Sequence, residues 1–284
     1  MQEILIFVHI PKTAGTTFGA ILERNFRPPR IVSVYPNFGI SEAEFRGLPD
    51  EAHRAMECVK GHFDYGIHRA FGRPFRYVTF LRHPVEQVRS RYNHMRSSRS
   101  HPLHHLARQG ISLEEFVRVS PDNYQARTLA GIEPTPGQGY PPFGERDLEQ
   151  VKANVEGHFG LVGIAERFDE SLVLARRSLG LERVRYVSRN VRRRPGQAPP
   201  MSELTRQIVE DHARLDLALY RWAVARLDRA IDADRNAFES EVAAFRAANA
   251  RYSRLMWPVD AVSYRTTKAA RYLRFLYRRV ASSG

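Results

Sequence analysis

ILIFVHIPKTAGTTF, residues 4–18, is the stretch that decides the fold. Six of its first seven residues are apolar, with His9 the exception, and such a short continuous run is typical of a strand buried on both faces of a parallel sheet. Pro11 ends the run. The residues that follow predict a turn into a helix, in which Gly15 lets a ligand approach the backbone and Thr16 or Thr17 caps the helix.

The turn after this strand has the composition of an oxyanion site. Backbone N–H groups at a helix N-terminus attract anions, and a lysine with several hydroxyls adds donors. Only four of the 44 basic residues in the chain are lysines, which singles out Lys12. An ordinary turn with a solvated lysine is the alternative. The residues predicted to bind the anion are Lys12, Thr13, Ala14, Gly15, Thr16 and Thr17.

The composition narrows the class of protein. A chain of 284 residues with 43% hydrophobic residues can form one large domain, or one domain with an appendage. Its net charge of +13 favours anionic partners: a nucleotide, a phosphate or sulfate ester, an acidic glycan or a membrane surface. No helix-turn-helix, zinc-finger or RNA-recognition signature is present, so we expect no specific nucleic-acid partner.

Three further features predict a cytoplasmic location, with membrane association as an option. The single cysteine, Cys58, excludes an intramolecular disulfide and is typical of a small buried residue in a reducing compartment. No signal-peptide pattern precedes the first strand. No run of eighteen apolar residues is present to span a membrane. The oligomeric state is not readable from these features.

Strands alternate with helices along the chain, which predicts an α/β fold with a doubly wound, mainly parallel sheet flanked by helices. Capping boxes begin short helices after Ser41 and Ser112, and Pro84 begins a longer one. A long helix from Ser202 has a buried stripe, and residues 99–111, 134–144 and 181–200 are expected to be loops. The further strands are predicted at 31–35, 56–63, 75–81 and 158–164, and the stripe comprises Leu204, Ile208, Leu215, Leu219, Trp222 and Ile231.

The chain beyond the last predicted element of the sheet domain forms a helical C-terminal extension, so we divide the chain into residues 1–231 and 232–284. Residues 261–284 carry six basic residues and no acid. This segment is predicted to contact an anionic membrane peripherally or to help hold an acidic acceptor. A solvated helix or a dimer-packing helix is the alternative.

Three strand ends point to one crevice, where Lys12, His62 and Arg82 are expected to meet. A P-loop kinase needs GxxxxGK[ST] and an acidic residue at a strand end to hold Mg²⁺. Here the lysine precedes the glycine by three residues, and Arg82 stands where the acid belongs. The sequence therefore predicts a phosphate pocket without a metal, whose positive charge comes from side chains. A metal site at the histidines of 101–105 is disfavoured, because carboxylates and cysteines are lacking nearby.

Arg82 and Ser90 are candidates to hold one phosphate, and a structural ion pair with a solvated serine is the alternative. His62 follows Gly61 at a strand end, and a histidine can accept a proton from a hydroxyl at neutral pH. A satisfied structural histidine is the alternative. Asp64 and Glu166 are the nearest acids in sequence, and either could orient His62.

These residues resemble a known family. FVHIPKTAGTTF is similar to the 5′-phosphosulfate-binding loop of the sulfotransferases that use PAPS (3′-phosphoadenosine 5′-phosphosulfate), and FLRHPVEQVRSRY resembles their 3′-phosphate-binding segment. KGHFDYG resembles the segment with the catalytic histidine in the branch that includes uronyl 2-O-sulfotransferases. NYQARTLAG, VGIAERFDES and the region from SRNVRRRPG to LDLALY also look like later blocks of that family. The resemblance covers residues 4–230.

The resemblance implies a P-loop-like carbohydrate sulfotransferase with PAPS as co-substrate and no metal. Residues 12–17 would bind the 5′-phosphosulfate, with Lys12 stabilising the bridging oxygen, and Arg82 with Ser90 would hold the 3′-phosphate. An arginine-rich loop near Asn190 and Arg194 would close over the nucleotide. His62 would deprotonate the acceptor hydroxyl for in-line attack on sulfur.

The acceptor is expected to be a hydroxyl-bearing glycan, and the net charge suggests an acidic one. Two other functions remain open on the sequence. One is a nucleotide-dependent kinase of a small molecule, which would require Mg²⁺ and ATP. The other is a non-catalytic protein that binds a nucleotide or an acidic glycan.

Overall fold

The fold is known from a computed structural model, which describes residues 3–35, 39–135, 138–187 and 201–281, and the side chains as far as residue 259. Within these residues lies one five-stranded sheet of order β2-β3-β1-β4-β5, and every neighbouring pair is parallel. The predicted parallel α/β class is confirmed. The strands are β1 (Ile4–Val8), β2 (Ile31–Val34), β3 (Cys58–Gly61), β4 (Phe75–Leu81) and β5 (Phe159–Ile164).

Helices connect and flank these strands. Helices lie where the sequence predicts them after the first strand and after Ser41, Pro84, Ser112 and Ser202. They are α1 (Gly15–Asn25), α2 (Glu42–Arg46), α3 (Asp50–Ala55), α4 (Pro84–Ser97), α5 (His104–Arg108), α6 (Leu113–Val119), α7 (Tyr124–Ala130), α8 (Glu145–His158), α9 (Phe168–Leu179), α10 (Glu203–His212), α11 (Arg214–Asp232) and α12 (Arg235–Ala281).

The strand order puts the end of β1 at the switch point of the sheet. After β1 the chain forms β2 and β3 on one side and then crosses to form β4 and β5 on the other. Val8 of β1 is in register with Gly61 of β3 and Thr79 of β4. Ligands of open α/β sheets bind in this crevice, outside the carboxyl ends of the strands. Neighbouring strands lie roughly 5 Å apart, so the loops after β1, β3 and β4 are close together.

The hydrophobic core explains why β1 is central. All five residues of β1 are buried, and they pack in one cluster with apolar residues of the other strands and the flanking helices. Cys58 is also fully buried, as expected, and burial raises the pKa of its thiol.

Local signals in the sequence place several helix ends correctly. Ser41 and Ser112 each form a complete capping box with a glutamate three residues later. Pro84 occupies the first turn of α4. Gly131 and Gly180 end α7 and α9 with left-handed backbone, which a side chain disfavours.

Other expectations about the helices are wrong. The segment 99–111, expected to be a loop, contains α5, and α3 and α8 lie in stretches for which no element was predicted. The long helix from Ser202 is broken at Ala213, whose φ of −111° and ψ of 28° are not helical. Leu204 is 73% exposed and does not belong to the buried stripe, whereas Leu215, Leu219 and Ile231 do.

The break at Ala213 is explained by a reciprocal cap between α7 and α11. The side-chain oxygen of Asn123 accepts hydrogen bonds from the backbone N–H groups of Leu215 and Asp216, at 2.8 and 3.2 Å. The carboxylate of Asp216 accepts from the N–H groups of Gln125 and Ala126, at 3.1 and 2.7 Å. Each helix therefore satisfies the free N–H groups of the other.

Helix α12 begins on the sheet domain and continues to Ala281. Phe238, Val242 and Phe245 are buried in its first turns, and Glu241 pairs with Arg176 and Arg177 of α9. No helix within the described ranges combines the length and apolarity that a membrane span requires. The side chains beyond residue 259 are not described, so the predicted membrane contact of the basic segment stays a prediction. The domain boundary at residue 231 is also still a prediction.

Candidate functional site

The loop after β1 presents a row of backbone N–H groups at the start of α1. Helix α1 begins at Gly15 and its N-cap is Ala14, so neither Thr16 nor Thr17 caps it, contrary to expectation. Lys12 and Ala14 both have positive φ, 71° and 69°, which curls the loop. No acceptor within the described chain bonds the N–H groups of residues 12–16. Free N–H groups in such a curl form an anion-binding concavity.

Three carbonyl oxygens of the loop, those of Pro11, Lys12 and Ala14, accept hydrogen bonds. Gln87 donates to the oxygen of Pro11 at 3.0 Å, and Arg82 donates to the oxygen of Lys12 at 3.2 Å. The oxygen of Ala14 accepts from α1. Since C=O and N–H point in opposite directions across a trans peptide, these bonds direct the N–H groups of the following residues into the crevice.

The side chains of the loop divide into two groups. The hydroxyl of Thr13 donates to the oxygen of Ile10 at 2.8 Å and is fully buried, so it holds the loop together and does not face the crevice. Lys12 is half-buried, and desolvation, followed by the charge of Arg82, lowers its pKa. Lys12 and Arg82 thus form a cationic pair at the ends of β1 and β4, as the sequence predicts.

Gly15 is required for a reason that the sequence did not show. A Cβ at this position would lie 2.0 Å from Cδ2 and 2.3 Å from Nε2 of His9. The imidazole of His9 therefore lies against the backbone at the start of α1. Its Nδ1 is 2.9 Å from the hydroxyl of Tyr35, and its ring centroid is 4.6 Å from that of His62.

This contact brings His62 to the loop of residues 12–16, the predicted phosphate loop. Val8 pairs with Gly61, so the next residues, His9 and His62, leave adjacent strands at the same level. His62 is accessible to solvent, yet enough protein surrounds it that desolvation lowers its pKa to about 4, with the charge of His94 as a second cause. A neutral imidazole at neutral pH has a lone pair that can accept a proton.

Neither acid considered for orienting His62 contacts it among the described residues. Glu166 accepts hydrogen bonds from His83 N–H at 3.0 Å and from the Tyr220 hydroxyl at 3.1 Å, next to Arg82. Asp64 bonds the side chain of Thr128, and desolvation together with neighbouring acids raises its pKa to about 7. The ring contacts of His62 are instead with His9 and Tyr35.

Arg82 and Ser90 lie along one face of the β4–α4 junction, with Glu86 between them at helical spacing. The guanidinium of Arg82 is 3.8 Å from Glu86 and 3.9 Å from Glu166. An anion bound there would compete with two carboxylates for Arg82. Ser90 is half-buried two turns along α4, and its contact with a phosphate stays a prediction.

Gln125 of α7 fixes the backbone of Arg82. Its amide oxygen accepts from the Arg82 N–H at 3.0 Å, and its amide nitrogen donates to the Arg82 oxygen at 2.9 Å. The reciprocal cap described above positions this turn of α7. Gln125 is a positioning residue that the sequence analysis missed, because its partner lies 43 residues away.

Two of the predicted nucleotide contacts, Asn190 and Arg194, lie outside the described residues. The histidines of 101–105 bond nearby backbone: His101 accepts from Leu103, and His104 and His105 contact the carbonyls of Met95 and Pro102. The described residues contain no group of three or more potential ligands that could hold a metal ion.

The sequence predicted the cations of the site but missed His9, Tyr35, Gln87 and Gln125. His9 had one visible signal, since it is the only polar residue in the apolar run of β1. Gln87 carries no local signal of burial, yet it is buried against the loop.

Comparison with known proteins gives consistent matches. A profile of the galactose-3-O-sulfotransferase family matches residues 137–269, past residue 230, where the sequence resemblance was expected to end. Heparan-sulfate 6-O-sulfotransferase 1 of Homo sapiens is 26% identical over 271 residues, which cover 78% of this chain and 65% of the relative. Galactosylceramide sulfotransferase of Mus musculus is 30% identical over 266 residues, which cover 86% of this chain and 62% of the relative.

The galactosylceramide sulfotransferase of Bos taurus is 29% identical over 276 residues, covering 88% of this chain and 63% of the relative. The chain thus spans somewhat less than two thirds of the length of these relatives. The chain, with its parallel α/β fold, is thus similar to carbohydrate sulfotransferases over most of its length.

Proposed function

We propose that this protein transfers a sulfuryl group from PAPS to a hydroxyl of a carbohydrate acceptor. The observation that carries the proposal is the loop of residues 12–16, whose N–H groups are unbonded within the described chain and converge beside Lys12 and Arg82. The relatives act, by their names, on heparan sulfate and galactosylceramide. A sugar hydroxyl is the acceptor group common to both.

The donor set of the loop fits a phosphosulfate. N–H groups and two fixed cations supply hydrogen bonds and charge without a reorganisation step, which is how phosphoryl-transfer sites stabilise charge. Lys12 and Arg82 are close enough to lower the pKa of the lysine, and an anion between them would relieve this repulsion. When bound, PAPS supplies a sulfuryl group activated by its phosphosulfate anhydride bond.

Lys12 neutralises charge that develops on the leaving oxygen in this proposal. It follows Pro11, whose carbonyl is fixed by Gln87, so the backbone of Lys12 is anchored on the side away from the crevice. The hydroxyls of Thr16 and Thr17 add donors at the first turn of α1. Arg82 and Ser90 hold the second phosphate of the nucleotide along the adjacent face of α4.

His62 accepts the proton of the acceptor hydroxyl. Its ring is accessible and lies one imidazole away from the backbone at the start of α1. The low pKa of about 4 keeps the ring neutral and ready to accept a proton at pH 7. A bound polyanion would raise this pKa and so strengthen the base when the nucleotide is present. The acceptor oxygen would then attack sulfur in line with the leaving group.

The first test measures nucleotide preference. Isothermal titration of the protein with adenosine 3′,5′-bisphosphate and with ATP plus Mg²⁺ distinguishes a sulfotransferase from a kinase. We expect the bisphosphate to bind more tightly, in the absence of a divalent ion. Tighter binding of ATP with a strict Mg²⁺ requirement would favour the kinase instead.

The second test measures transfer of radiolabelled sulfate from PAPS to a panel of glycan acceptors. Lys12→Ala and His62→Gln are expected to lower kcat by about 100-fold or more, the usual scale for a lost charge stabiliser or general base. Lys152→Ala and His105→Gln are matched controls on exposed or half-exposed helical sites. Near wild-type turnover in either site variant would remove its assigned role. Bisphosphate binding without transfer to any acceptor would favour a non-catalytic binding protein.

A further inference from the structure

Arg91 lies on α4 one turn after Gln87, the residue that holds the phosphate loop, so both face the crevice side of the helix. Its guanidinium carbon is 4.2 Å from the centre of the Tyr124 ring and 5.8 Å from that of Phe116. In the part of the chain that the structure describes, Arg91 makes no ion pair and donates no hydrogen bond. Five N–H donors are therefore available to a ligand.

Holding a half-buried guanidinium in this position costs free energy, because the charge loses part of its hydration. Desolvation lowers the pKa of Arg91 below its usual range, although the group stays charged at pH 7. Asp216, whose charge acts on Arg91, accepts hydrogen bonds from two N–H groups of α7, and burial raises its pKa to about 7. Stacking on Tyr124 offsets only part of the free energy that the guanidinium loses by leaving water.

The neighbouring buried arginine shows how the same fold treats a structural guanidinium. Arg127 of α7 binds Asp122 at 2.6 Å and the carbonyl oxygen of Pro141 at 2.8 Å, and rings of the 134–144 loop cover it. Arg91 has the same kind of aromatic contact, but no carboxylate among the described residues pairs with it. A half-buried guanidinium that stacks on a ring and has no such partner has the features of a group that binds an anion.

The groups around Arg91 include ones that also act on His62 or lie next to it in the chain. His94, one turn further along α4, acts on His62 through its charge. Tyr140 of the 134–144 loop and Asp64, two residues after His62, interact with the same Tyr124 on which Arg91 stacks. Arg91 directly follows Ser90 on α4, so its side chain leaves the helix about 100° away from the line of Arg82, Glu86 and Ser90.

We propose that Arg91 binds a carboxylate of an acidic glycan acceptor and so determines acceptor specificity. This inference rests on the proposed function. The planar guanidinium, already fixed by Tyr124, matches a carboxylate in a two-point hydrogen bond. A uronate bound there would place a neighbouring sugar hydroxyl on the side of His62.

The test uses the full chain, saturated with adenosine 3′,5′-bisphosphate, and calorimetric titration with two uronate probes. These are hyaluronan and heparosan tetrasaccharides, which carry carboxylates and no sulfate, each compared with its carboxyl-reduced form. We expect the wild type to prefer at least one acidic probe over its reduced form. Arg91→Met should weaken binding of that probe by about 10- to 100-fold, the range for hydrogen bonds to a charged group, and Arg91→Lys should be intermediate.

The matched control is Arg96→Met, an exposed arginine of the same helix that lies over Tyr92, which should leave the affinity for the probe unchanged. Bisphosphate affinity is measured for every variant and should not change. If Arg91→Met weakens the bisphosphate as much as the uronate, Arg91 belongs to the nucleotide subsite and the inference is wrong. Equal binding of acidic and reduced probes by the wild type, or a variant that loses thermal stability but keeps uronate affinity, overturns it too. Failure of the proposed function would show separately, as absence of bisphosphate binding and of sulfate transfer.

Discussion

Gly15→Ala tests the packing of His9 between the phosphate loop and His62. The new methyl group would lie 2.0 to 2.8 Å from three atoms of the His9 ring. Ordinary van der Waals contact begins near 3.4 Å. The imidazole must therefore move by about 1 Å or more, and it is enclosed by Phe7, Tyr35 and His62.

The expected cost comes from the contacts that His9 gives up. Its hydrogen bond with the Tyr35 hydroxyl, at 2.9 Å, contributes about 0.5–1.5 kcal/mol, and its edge-to-face contact with His62 contributes a similar amount. Gly15 has an ordinary helical φ, so alanine alone would stabilise the first turn by up to about 1 kcal/mol. We expect a net loss of roughly 1–2 kcal/mol, or about 2–8 °C in Tm.

A double-mutant cycle with His9→Ala isolates this contact. Without the imidazole, Gly15→Ala should be neutral or slightly stabilising, so the coupling energy between the two positions should be about 1–3 kcal/mol. The assay is urea unfolding of the four proteins, with sulfate transfer measured in parallel. We also expect the single Gly15→Ala variant to lose transfer activity because His62 shifts. A neutral Gly15→Ala in the wild-type background, or a coupling energy near zero, would refute the reasoning.

Three further predictions concern groups with unusual environments. Asp216→Ala leaves two buried N–H groups of α7 without an acceptor and should cost about 2–4 kcal/mol in urea unfolding, whereas Asp211→Ala, on an exposed site, should cost little. In NMR titrations the pKa of the His62 ring should be about 4 in the free protein and should rise on addition of adenosine 3′,5′-bisphosphate. A ring that titrates near pH 6.5 in the free protein would contradict this. The pKa of Asp64 is raised to about 7, so the folded protein binds the proton of this carboxyl more tightly than the unfolded chain does. The stability that this group contributes should therefore fall as pH rises from about 4 to 7, and the free energy of unfolding of Asp64→Asn should decline less over that range than that of wild type.

The sequence predicts the sheet and the cations of the site because both depend on local signals. The apolar run of β1, the capping boxes and Pro84 act within one element, and parallel pairing brings strand ends together without further information. Lys12 and Arg82 follow β1 and β4 directly, so adjacency of these strands is enough to place them side by side.

The parts that the sequence analysis missed depend on contacts between distant residues. The break between α10 and α11 arises from Asn123, which is 92 residues away from the N–H group that it accepts. The helical periodicity on either side of Ala213 is continuous, so no local pattern marks the break. Gln87 looks like a surface residue in its own helix, and only its contact with Pro11 explains why it is buried.

The same long-range contacts determine which way the phosphate loop faces. A curled loop can present either its N–H groups or its carbonyl oxygens to a crevice, and the choice reverses the sign of the charge that it binds. Gln87 and Arg82 hold the oxygens of Pro11 and Lys12, and Gln125 in turn holds the backbone of Arg82. The direction in which the loop presents its N–H groups is therefore set by the β4–α4 junction and by α7 as much as by the loop's own residues. A loop with the same residues 12–17 but without these donors would lack the constraint that directs its N–H groups into the crevice.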